Sequence, residues 1–138
     1  MNQSNPRGNA AAPSTTDLFA KPSTIFLWWG LPFLVGFATN FLPMAPMART
    51  LVWTVALAWM GTGCTLNAMR CHRLHCYISA PVLFLGAIAA PVLALGLTPL
   101  SPHTASYVIN ISLLLMVMSL LAEPLWGKYT SPRHDAIR

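Results

Sequence analysis

The chain has 138 residues, 55% hydrophobic and only 8% charged, with a net charge of +5 and a mean hydropathy of +0.56. A soluble domain carries about a quarter charged residues, so this composition excludes an ordinary soluble fold. The basic excess sits at the ends of long apolar runs, which points to membrane topology and not to a nucleic-acid partner.

Residues 1–23 are polar and rich in Asn, Pro and Ser. Such a segment buries too little apolar surface to fold, and a disordered cytoplasmic tail is expected. It has neither the early apolar run of a cleavable signal nor the Met-Gly start of a myristoylated one. Beyond it, no Asp, Glu, Lys or Arg falls between Lys21 and Arg49, between Arg49 and Arg70, or between Arg73 and Glu123. A bilayer span takes about 20 apolar residues, so the first two gaps hold one span each and the third holds two. "LTPLSPHTAS", Leu97 to Ser106, divides the third. The expected spans are 24–42, 50–70, 79–97 and 105–122, within a transmembrane domain 24–122 followed by a cytoplasmic C-terminal tail, 123–138. Lipid offers no hydrogen-bond partners, so continuous apolar runs must be helices. The expected fold class is all-α: a polytopic integral membrane protein of four transmembrane helices with short loops.

Taken in order, span one carries Pro32, where a kink is expected. "PMAPM", Pro43 to Met47, makes a short outer hairpin. Span two returns inward, and span three is expected to open with Ser79 as N-cap and Pro81 in its first turn. Pro91 should kink it. Gly61 with Thr65, and Gly86 with Ala90, are small-residue pairs at which helices can approach. Asn40 and Asn110 are expected to hydrogen-bond between helices, and His103 to be solvated on the outer loop.

Seven of the eight Lys and Arg residues lie on the side shared by both termini and the middle loop, and only Arg49 lies opposite. Cytoplasmic loops are enriched in Lys and Arg. Both termini are therefore expected in the cytoplasm, with the chain in the cell's inner membrane and the lipid bilayer as its first partner. Trp28, Tyr77, Trp126 and Tyr129 near inner ends, and Trp53 near an outer end, suit interfacial belts.

The polar chemistry concentrates in "GCTLNAMRCHRLHCYISAP", Gly63 to Pro81. Thiolate and imidazole are ligands for soft cations. Cys71, His72, His75 and Cys76 are the candidate metal ligands, for Cu(I), Zn(II) or another soft ion. On a continuous helix, Cys64, Cys71 and His75 share a face, and His72 and Cys76 form a second pair at i, i+4. Cys64 lies about 10 Å deeper than Cys71, as a relay station and not a co-ligand. Arg70 and Arg73 would favour thiolate, Asn67 would orient the segment, and Glu123 would pair with one of the arginines. Cytoplasmic thiols stay reduced, so a structural disulfide is not expected. Four ligands from one segment converge only if the helix breaks inside the motif or a second copy joins. The bland reading stands beside this one: arginines marking a membrane interface, and cysteines as small buried residues. The methionines of the spans and outer hairpin fit ordinary packing better than ion passage.

Enzyme parts are lacking. The acids are Asp17, Glu123 and Asp135 alone, and no phosphate loop or Ser-His-Asp set can be assembled. Two functions remain. One is a small membrane protein whose Cys/His cluster binds a soft metal ion for handling or transport. The other is a non-catalytic accessory or assembly subunit of a larger membrane complex, with the motif as docking and lipid-contact loop. Homo-oligomers or partner subunits suit either.

Overall fold

A computed structural model of the chain describes residues 21–97, 99, 101 and 103–126. Four helices account for most of them, and no strand occurs among the described residues. They are α1 (Pro22–Ala38), α2 (Pro46–Cys71), α3 (Leu74–Ala94) and α4 (Thr104–Trp126). The chain is all-α, as expected. The tails and their calls, Asp17 and Asp135 included, lie outside the described residues.

Two helices, Leu74–Ala94 and Thr104–Ala122, are each long and apolar enough to cross a membrane. α2 is the longest, at 26 residues, but less apolar, because four threonines and Asn67 interrupt it. Those hydroxyls do not compete for outside partners. Thr50, Thr54, Thr62 and Thr65 each donate to the carbonyl four residues earlier, at 2.8–3.1 Å.

Each helix packs mainly on its neighbour in sequence: α1 on α2, α2 on α3, α3 on α4, with only slight contact between α2 and α4. The arrangement is an open layer of antiparallel helices. The α3–α4 seam is tight at Gly86, where a Cβ would collide with the Ser112 side chain. This supports the reading of Gly86 as a place of close approach. Ser112 is kept compact by donating to Val108 O at 2.9 Å. The α1–α2 seam is tight at Gly36, where a Cβ would stand 2.9 Å from the Trp53 indole.

Proline is absorbed in different ways. Pro32 follows a π-helical turn, Phe26–Gly30, in which the Leu31 N–H bonds to Phe26 O. The widened turn gives the ring room that an α-turn denies it. Pro81 is not in a first turn: α3 begins at Leu74, so Pro81 and Pro91 are both interior. Ser79, expected as the N-cap, is likewise interior. The cause is the shortness of the reversal between α2 and α3. Only His72 and Arg73 lie outside helix there, and "LHCYI" joins α3 instead of forming a loop.

An apolar core centred on Leu57, Met60 and Leu83 is joined by buried polar groups, and the outward surface is apolar as well. Phe37, Val55, Leu85, Ile88 and Leu114 face outward, while Thr50, Asn67, His75, Ser79 and Ser112 are buried.

Candidate functional site

The site is built by the α2–α3 corner. α2 ends at Cys71 because His72 turns left-handed, at φ 52° and ψ 36°. Its N–H still bonds to Ala68 O at 3.0 Å, which closes the last turn. A left-handed residue with a side chain is strained, and His72 is the one such case among the described residues. Two contacts hold it: His72 Nδ1 lies 2.9 Å from the Tyr77 hydroxyl, and the two rings stack at 6.5 Å. The chain then reverses through Arg73, whose carbonyl accepts the Cys76 N–H at 3.2 Å. α3 returns along α2 with His75 and Cys76 facing inward.

Inside the corner, the Cys76 and Cys64 side chains neighbour each other across the α2–α3 seam. His75 Nε2 lies 3.2 Å from Cys76 Sγ. The Asn67 amide donates to Cys76 Sγ at 3.5 Å, and the Trp29 indole N–H donates to Cys64 Sγ at 3.4 Å. Cys64, Asn67, His75 and Cys76 are all 2% exposed or less. One turn further along α3, the Ser79 and Ser119 hydroxyls lie 2.6 Å apart, and Ser119 donates to Met116 O at 2.8 Å. Ser79 is therefore the donor of that pair, and it ties α4 to the wall of the site.

The helix break inside the motif is present, but it does not gather the four nominated ligands. His72 turns outward to Tyr77, while His75 and Cys76 turn inward. The side chains of Cys71 and Glu123 lie outside the described residues, as do their nominated roles. Among the described residues, no three His, Cys, Asp or Glu side chains form a metal-holding group. Two expectations are corrected. Cys64 and His75 do not share a face of one helix, because the helix ends between them. Depth along α2 does not separate Cys64 from the motif either: the antiparallel return of α3 brings Cys76 to it. Asn67, expected to orient the segment, makes its contact with it at Cys76. Arg70 is exposed and Arg73 is buried, so the two arginines have different surroundings.

Trp29 was missed by sequence reasoning. A buried indole N–H needs an acceptor, and Trp29 lies about as far from the start of α1 as Cys64 does from the end of α2, so distance counted from those two helix ends was the available signal. Cys64 and Cys76 are free thiols, in contact yet unbonded. No family model matches this chain, and no curated protein or solved structure proves similar to it.

Proposed function

We propose that the chain is a four-span inner-membrane protein in which Cys64 and Cys76 hold a soft metal ion between α2 and α3 for handling or transport. The observation that carries this reading is the pair of buried, neighbouring free thiols contributed by two helices, with His75 beside one of them. Two thiolates alone satisfy a soft monovalent ion such as Cu(I), so the pair needs no third ligand. Cys71 and His72 then belong to the cytoplasmic approach and not to the holding site.

Several observations support the membrane placement. The outward faces are apolar, which suits lipid and not water. The hydroxyls of α2 are bonded within the helix, as a bilayer requires. At 26 residues, α2 is about 39 Å long and exceeds the hydrocarbon thickness. The Lys and Arg asymmetry puts the cysteine end and both termini in the cytoplasm.

The test is elemental analysis and Cu(I) competition titration of purified protein, for wild type, Cys64→Ser and Cys76→Ser. One equivalent in wild type and loss in both variants is expected. Absence of uptake by wild type would overturn the reading. The accessory-subunit reading draws on the open layer, which leaves α1 and α4 each with an uncovered apolar flank. Co-purification of a stoichiometric partner that survives Cys64→Ser/Cys76→Ser, together with absent metal uptake, would establish it instead.

A further inference from the structure

The end of the molecule opposite the cysteines encloses a cavity of about 370 Å³. Its polar wall comes from Asn40 after α1, Arg49 and Thr50 on α2, and His103 and Asn110 on and before α4. Arg49 as a whole is half-buried, and its Nε is sealed from solvent with no hydrogen-bond partner. No carboxylate of the described residues approaches it. Glu123 lies about 28 Å along α4 from Thr104, and Asp17 and Asp135 lie outside the described residues.

The backbone adds to the positive character. α2 and α4 both begin at this cavity, and neither has an acidic residue in its first turn. Ala45, which precedes α2, provides no side-chain cap. Helix N-termini carry partial positive charge. α3 ends here too, but its last carbonyls are occupied: Pro91 O, Val92 O and Leu93 O accept from Leu95, Leu97 and Gly96. The cavity thus combines a half-buried guanidinium with two helix starts, and no carboxylate stands beside it among the described residues.

We propose that this cavity binds a phosphate group. The guanidinium fork offers paired N–H donors to two phosphate oxygens, and His103 and Asn110 line the remaining rim. The apolar part of the wall, Trp53 and Ile109, leaves room for the glycerol of a phospholipid headgroup. Lipid phosphate and free inorganic phosphate share the chemistry, and experiment separates the two sources.

The full chain, purified in a phosphate-free maltoside detergent, is titrated with inorganic phosphate and, separately, with mixed micelles of phosphatidylglycerol or of an uncharged galactolipid. Thermal unfolding is the readout. Stabilisation of wild type by inorganic phosphate assigns a soluble ligand. Stabilisation by phosphatidylglycerol but not by galactolipid or free phosphate assigns a lipid. In either case Arg49→Gln should weaken the response roughly tenfold or more in concentration, and Arg49→Lys should retain part of it. Should Arg49→Gln fail to fold, Asn110→Ala on the facing helix serves instead, with a smaller loss. A wild type that responds to neither probe, or an Arg49→Gln that responds as wild type does, overturns the proposal.

Discussion

The two ends of the helical layer handle buried polarity in opposite ways. At the α2–α3 corner, Trp29 bonds to Cys64 and both Asn67 and His75 bond to Cys76, so the buried polar groups find partners within the protein. At the far end, Arg49, His103 and Asn110 surround a cavity, and Arg49 Nε has no partner. A closed network holds its reactive groups in place before any ligand arrives. An open one leaves a polar group to be satisfied by something from outside. Residues of one chemical type should therefore matter differently at the two ends.

The largest expected effect is on metal binding. Cys64→Ser or Cys76→Ser should weaken Cu(I) binding by about a hundredfold or more, equivalent to about 2.7 kcal/mol or more, while Arg49→Gln leaves it unchanged. Protons compete with the metal for thiolate, so Cu(I) binding should weaken as pH falls, by up to about tenfold per unit for each proton displaced. Competition titrations across pH check both statements. A Cu(I) affinity that follows Arg49 would merge the two ends into one site.

Two asparagines sharpen the comparison. Asn67 is fully buried and donates to Cys76, so Asn67→Ala should cost about 2 kcal/mol through a lost bond and a small cavity. Asn110 is exposed, and Asn110→Ala should stay within about 0.5 kcal/mol in ligand-free detergent. Thermal unfolding of the two variants side by side measures the difference, and equal losses would remove the contrast between closed and open ends.

The corner's backbone comes next. His72 holds a left-handed conformation that a β-branched residue tolerates poorly. His72→Val should cost about 1–2 kcal/mol, and His72→Asn close to nothing. Smaller still is Ser79→Ala, which breaks the bond to Ser119. Hydrogen bonds between membrane helices average about 0.6 kcal/mol, and a loss of that order in detergent unfolding is expected.

The helical class was legible in the sequence because long continuous apolar runs without strand-like alternation read as helices. The position of the chemistry was legible in part. Cys76, His75 and Asn67 stood out through their clustering in an uncharged chain. The partner of Cys76 did not, because helical spacing relates residues only along one helix. Once the chain reverses in two residues, the neighbour of Cys76 is fixed by how α3 packs on α2, which favours Cys64. Pro81 misled for the same reason: its place in a first turn assumed a longer loop. Asn40 was expected to bridge helices, but its amide donates to Phe37 O at 3.1 Å, within its own turn. Arg49 and His103 gave no local signal of a shared cavity, since separate helix ends bring them together.

The central claim is that Cys64 and Cys76 face each other across the α2–α3 seam. In a Cys71→Ser background, mild oxidation of the detergent-purified protein with diamide tests this directly, read by intact mass and peptide mapping. The expected product is an intramolecular Cys64–Cys76 disulfide in monomeric protein. Two thiols that both react with membrane-permeant N-ethylmaleimide yet form no such bond, or that yield only intermolecular dimers, would contradict it.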